Sequence, residues 1–203
     1  LAQAMPGSQR GVRMDLQIDL RYEIDSYGAD FVFNIHAAQT PHQIVHNERL
    51  VLSQDIPHQI HTDPATGNRY LRLHGEPGML ELTYSATVDI RHYRADPTQL
   101  AEVPVRHLPP HVMGYIYPSR YCQSDRLLRL ALNEFGALWQ GHSRVQAIRD
   151  WVNRHVAFTS NTSNSNTSAV DTLVEQVGVC RDFAHLMIAL CRALNIPARF
   201  ATG

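Results

Sequence analysis

The stretch GVCRDFAHLMIALCRAL places Cys180 two residues after Gly178, at the head of a helix-like periodicity. Phe183, Leu186, Met187, Leu190 and Leu194 recur at i, i+3, i+4 and i+7, a stripe that must be buried against its own domain. A thiol at the N-terminus of such a helix sits among backbone N–H groups without intrahelical partners and at the positive end of the dipole, and both favour thiolate. The amide of Cys180 is then a candidate donor to the oxyanion of an attacked carbonyl, with Gly178 and Val179 making the turn before the sulfur. Asp182 suits the first helical turn while opposing thiolate formation slightly. The same spacing also fits an ordinary buried cysteine acting as a small apolar residue.

Other residues invite chemistry less strongly. Three cysteines without a CxxC argue against a disulfide framework or structural zinc; Cys180 and Cys191 on one helix would be about 16 Å apart. Cys122 and Cys191 read as packing residues, and reduced thiols fit a cytoplasmic setting. His36, His42 and His46 lack a HExxH glutamate and read as solvent-exposed strand and turn histidines, so no metal and no cofactor is expected. His142 and His155 read as exposed helix-surface residues, and His185 lies about 140° round the helix from Cys180. Trp139 and Trp151 read as core or interface residues, Arg181 and Arg199 as solvated or salt-bridged arginines.

The elements that must position these residues follow from periodicity. Leu16, Ile18, Leu20, Tyr22 and Ile24 alternate with polar residues, and further short alternating segments follow, separated by Gly, Pro, Asn and Asp turn signals up to about residue 105. Regularly spaced strands without intervening helices predict a β-sandwich-like N-terminal domain over 14–112, after a disordered tail over 1–13. Pro104, Pro109, Pro110 and Pro118 mark a boundary, and the chain beyond is helical. Ser124 is expected to cap a helix that Gly136 ends, and Ser143 to cap one that presents Val145, Ile148, Trp151, Val152 and Val156 on one side. Residues 159–168, TSNTSNSNTS, form a polar loop with too few apolar groups to pack by itself; its sequons at Asn161 and Asn166 matter only in a secreted chain. Ser168 and Asp171 form a capping box opening a short helix that Gly178 closes.

The blocks Thr167-Ser-Ala169, Asp171-Thr-Leu173, Gly178-Val-Cys-Arg-Asp-Phe-Ala-His185 and Arg192-Ala-Leu-Asn-Ile-Pro-Ala-Arg199 together resemble the nucleophile segment of the transglutaminase-like superfamily, specifically its bacterial cysteine-protease-like members. The segments YIYPSRYCQSD and VQAIRDWVNRHVAF are similar to helical segments preceding that nucleophile. The resemblance covers residues 113–203 and implies a papain-like core with Cys180 as nucleophile, an α+β fold overall, and an N-terminal β-rich domain. It also implies a His and an Asp on strands after this helix. Only the rest of the helix and NIPARFATG follow, so the sequence reads as the helical half of such a core, truncated before its catalytic sheet and inactive as this fragment.

Two readings result. One is a thiol amidase, peptidase or acyl transferase, acting on peptide or glutamine amides through a Cys180 thioester. The other is a non-catalytic binding or scaffold module that retains the fold. Eighteen basic against nineteen acidic residues give a formal charge of −1, which argues against nucleic acid as a partner, and no stretch approaches membrane-spanning length. A peptide or protein substrate is the expected partner, with self-association through apolar surface left uncovered on the helix beginning at Cys180.

Overall fold

The computed structural model describes residues 11–92 and 94–201. The chain is a mixed α+β protein that divides into two units, Leu1–Arg94 and Ala95–Gly203. Most of the expected tail, 1–10, lies outside the described residues. Val12 and Arg13 are not tail, because they open β1 (Val12–Ile24) and pair with Ile90 and Asp89.

In the first unit, β1 runs antiparallel to β6 (Gly78–Ile90) along its whole length, and β3 (Gln43–Leu52) pairs with the other edge of β6. A second three-stranded sheet has the order β2 (Ala29–His36), β5 (Arg69–Gly75), β4 (His58–Thr62). The alternation does what a period of two requires: Leu80, Leu82, Tyr84, Ala86 and Val88 of β6 are buried while the residues between them are not. Ile24 and this face of β6 join Phe33, Leu71 and Leu73 in one apolar cluster to which both sheets contribute.

Two irregularities in pairing bring charge into that cluster. The register of β3 shifts between His46 and Arg49, around Asn47 at φ 51°, and that of β2 shifts between Phe33 and His36. Glu48, inside the first irregularity, meets the guanidinium of Arg69 on β5 in a forked ion pair, with 2.9 Å for the second bond, and accepts the Tyr84 hydroxyl at 2.6 Å. The Tyr84 oxygen in turn accepts the Ala37 amide at 3.0 Å. His36 is 6% exposed, against the expectation of a surface histidine; its ring lies 4.4 Å from that of Tyr84 and its Nδ1 has no hydrogen-bond partner.

The proline-rich segment after Arg94 is tied to the helices of the second unit. Ala101 bridges Gly141, Glu102 N–H donates to Gln140 O at 2.9 Å, and Arg144 forks onto the Glu102 carboxylate. Short 3-10 turns at Pro97–Gln99, Val105–His107 and Pro110–Ile116 lead to α1 (Ser124–Phe135), α2 (His142–His155), β7 (Ala157–Phe158), α3 (Ala169–Glu175), β8 (Val177–Gly178) and α4 (Cys180–Ala193). Leu127, Ala131 and Phe135, then Ile148, Trp151 and Val152, pack in one core with Leu186, Ala189 and Leu190 of α4. Gly136 closes α1 as expected.

Neither expected serine cap forms: Ser124 is the first residue of α1 and Ser143 lies inside α2. Gly141 flanks α2 instead, held by the Leu100–His142 and Glu102–Gln140 bonds, and a Cβ there would meet the Trp139 ring. Trp139 itself is exposed, not core, whereas Trp151 is buried. The Ser168–Asp171 capping box is present. However, α3 ends at Gln176 in the left-handed region (φ 56°), since Val177 and Gly178 are drawn into parallel pairing with Ala157 and Phe158.

The cluster around Tyr84 sets an acid limit on the first unit. Burial, then Arg69, pushes His36 below its ordinary 6.5, with His58 adding and Glu48 opposing. Arg69 and Tyr84 hold Glu48 below 4.5 against the cost of burying it. Both groups bind protons more readily unfolded, so their contributions are present above those values and lost as pH falls. Urea unfolding is expected to show a clear drop in stability from about pH 7 to about pH 5.5, a drop that His36→Phe reduces by removing the buried titrating nitrogen. Tyr84→Phe, which strands the Ala37 amide, is expected to cost about 1–3 kcal/mol at neutral pH.

Candidate active site

Cys180 is the first residue of α4, exposed at the helix N-terminus, preceded by Val179 in extended conformation. Among the described residues no side chain hydrogen-bonds its sulfur. The reading of Cys180 as an ordinary buried residue therefore fails: Cys122 and Cys191 are the buried thiols, at 4% and 3% exposure. Burial pushes the Cys122 thiol up, and burial followed by Glu102 pushes Cys191 up to about 12.

The turn before the thiol is held from both sides. Val179 O accepts the Asp182 and Phe183 amides at 2.8 and 3.2 Å, and Val179 N–H donates to Asp182 Oδ2 at 2.8 Å. Asp182 thus supplies the acidic half of a capping box whose other half a valine cannot supply. The amides of Cys180 and Arg181 lie ahead of the first helical bond. Gly178 is required here by close approach, because a Cβ would stand 2.8 Å from Asp182 Cβ.

Sequence reasoning missed the loop beside this turn. Residues 159–168 are tied down by hydrogen bonds in place of apolar packing. Thr159 N–H donates to Gly178 O at 3.0 Å, Ser163 Oγ donates to Asp182 Oδ1 at 2.8 Å, and the Tyr121 hydroxyl donates to Ser165 O at 2.9 Å. Arg181 donates to Ser163 Oγ and, at 2.7 Å, to Asn164 O, with its Nε 3.5 Å from Asp182 Oδ1. Asp182 has 0% exposure, so its carboxylate is answered entirely from within the protein. The one local signal for this arrangement was the three-residue spacing from Val179 to Asp182.

Among the described residues none of the three candidate histidines hydrogen-bonds the Cys180 sulfur, and the Nδ1 atoms of His142 and His185 are buried without a hydrogen-bond partner. His185 is buried, stacked on Tyr121 at 5.3 Å with Phe200 at 5.6 Å, and burial followed by Arg181 lowers its pKa. His155 is exposed, as expected, and stacks on Trp151 at 3.8 Å. His142 differs from expectation: it is only partly exposed, and its Nδ1 is buried without a hydrogen-bond partner. Arg199 lies over the Tyr115 ring at 5.9 Å. The stripe on α4 is covered more fully than expected, with Leu186 and Leu190 wholly buried; partly buried Phe183 and Met187 line a shallow groove of about 480 Å³ with Val152 and Asn153.

Residues 135–203 match the model described as the transglutaminase-like superfamily, and residues 12–111 match the bacterial transglutaminase N-terminal domain. A crystal structure described as "a Putative Cysteine Protease" from Cytophaga hutchinsonii is similar at 40% identity and a TM-score of 0.86, covering 93% of this chain and 65% of its own. The uncharacterized protein ML0607 of Mycobacterium leprae (strain TN) is 34% identical over 59 residues, which are 29% of this chain and 21% of that protein. The chain therefore spans less than two thirds of either relative.

The burial contrast among the thiols is directly measurable. Iodoacetamide is expected to modify native protein at Cys180, with Cys122 and Cys191 reacting only on unfolding; peptide mapping that finds either buried cysteine labelled as fast as Cys180 contradicts the geometry.

Proposed function

We propose that this chain, which belongs to the transglutaminase-like superfamily, carries the nucleophile of a thiol amidase acting on peptide or glutamine side-chain amides, with Cys180 in that role. The observation that carries the reading is the exposure of Cys180 at the head of α4 while the other two cysteines are buried.

The chemistry follows from the position. The Cys180 thiolate adds to the amide carbonyl carbon, forming C–S, and the carbonyl oxygen takes the charge, facing the open amides of Cys180 and Arg181. Collapse breaks C–N, the leaving nitrogen takes a proton, and a thioester remains. Water then gives acid and free thiol, as in a peptidase; an amine gives a new amide, as in an acyl transferase. Protonating the leaving nitrogen needs an imidazole at the sulfur, held by a carboxylate in the family resemblance. No described histidine bonds the Cys180 sulfur, so we read the 203-residue chain as inactive by itself on unactivated amides. The two three-stranded sheets of the N-terminal unit are read as a β-sandwich.

An activated ester removes the need to protonate the leaving group and isolates the nucleophile's contribution. With p-nitrophenyl acetate, Cys180 is expected to take up one hydroxylamine-labile acetyl group at least about tenfold faster in the native chain than in the unfolded one. Cys180→Ala should abolish the adduct. The sequence contains no lysine, so side-chain amines do not compete for the acyl group. Equal rates in native and unfolded chains would contradict the nucleophile reading and favour a scaffold module.

A further inference from the structure

Asp182 cannot attack or protonate a substrate from where it lies: it has 0% exposure and its two oxygens are committed to groups of the protein. Its partners, however, all belong to the immediate surroundings of Cys180. Oδ2 takes the Val179 amide, which fixes the peptide entering the nucleophile residue. Oδ1 takes the Ser163 hydroxyl from the 159–168 loop, nineteen residues away in sequence. Arg181 closes the circuit, reaching Ser163 Oγ and Asn164 O with its Nη2 while its Nε lies by the same carboxylate. At its far end the loop is held by Tyr121 through Ser165 O, and at its near end by Thr159 on Gly178.

We propose that Asp182 is a positioning residue for the reaction at Cys180: by joining the Val179 amide to the Ser163 hydroxyl, it aims the open amides of the nucleophile turn at the developing oxyanion and fixes the 159–168 loop as a wall beside the thiol. This rests on Cys180 being the nucleophile. Two features separate the role from simple helix capping. A cap needs one acceptor oxygen, whereas both oxygens of Asp182 are used, and the second reaches a different segment. Gly178 is also the residue type that permits the carboxylate to approach the turn this closely. Among the described residues, the charged and titratable groups recorded against Asp182 are Arg181, beside it, and His185, one turn on along α4, with the Cys180 thiol two residues before it.

Two electrophiles distinguish the role, because acylation develops an oxyanion and alkylation by iodoacetamide does not. Asn at 182 offers one acceptor oxygen to two donors and turns an N–H toward Ser163 and Arg181. Asp182→Asn is therefore expected to lower the ratio of acetylation to alkylation rates at Cys180 about tenfold, with alkylation unchanged or faster since a nearby negative charge is gone. A purely structural effect would move both rates together or neither, and either result overturns the proposal.

Ser163→Ala tests the loop without touching the turn and guards against a misfolded Asp182 variant. It is expected to open 159–168 to limited proteolysis, with Ser163→Thr restoring protection; a loop as resistant in Ser163→Ala as in the parent overturns the tether. A parent chain that acetylates no faster native than unfolded would instead remove the nucleophile reading itself, so the two failures are distinguishable.

Discussion

A carboxylate with no access to water must be answered by donors of the protein, since a buried charge left unpaired costs several kcal/mol. Asp182 meets that requirement with hydrogen bonds from the Val179 amide and the Ser163 hydroxyl and with the charge of the neighbouring Arg181 guanidinium, whose Nε lies 3.5 Å away. Each donor constrains a different piece of chain. The amide fixes the entry to α4, the hydroxyl fixes a loop with no apolar anchor of its own, and the guanidinium bonds the loop a second time through Asn164 O. Leaving one donor out strips a buried carboxylate oxygen of its partner and frees the segment that donor held.

The carboxylate is held in place because one face of α4 is enclosed. Leu186, Ala189 and Leu190 are fully buried among residues of α1 and α2, and Arg192 reaches Ala198 O, Tyr117 O and Ser119 Oγ at 2.8, 3.1 and 3.0 Å, tying the segment after the helix to the one before α1. A helix fixed in this way leaves its first residue little choice of position. Cys180 is exposed because the apolar side of α4 is used up one turn later, and its amide and that of Arg181 are open because the first helical bond is made by Asp182.

What could be read from sequence was whatever depends on near neighbours. The Ser168–Asp171 capping box, the alternation in β1 and β6, the burial of Trp151 and the place of Cys180 at a helix start all rest on spacings of a few residues. The Ser163–Asp182 bond, the Arg144–Glu102 fork and the meeting of His36, Glu48, Arg69 and Tyr84 join residues far apart in sequence, and the last needs two shifts of strand register that no periodicity announces. The serine caps failed for a related reason. At Gly141 the Leu100–His142 and Glu102–Gln140 bonds fix the chain more firmly than a local hydroxyl would. Gln176 ended α3 where a glycine was expected, because pairing with β7 claimed the residues after it.

The nucleophile turn is prebuilt, with Val179 and Asp182 locked and the two amides between them left open. Residue-resolved amide hydrogen exchange across 178–184 in the native chain tests this most directly. Slow exchange is expected at Val179, Asp182 and Phe183, whose N–H groups have protein acceptors, and rapid exchange at Cys180 and Arg181. Uniformly rapid exchange across the turn, or protection at Cys180 and Arg181 equal to that of their neighbours, would contradict it.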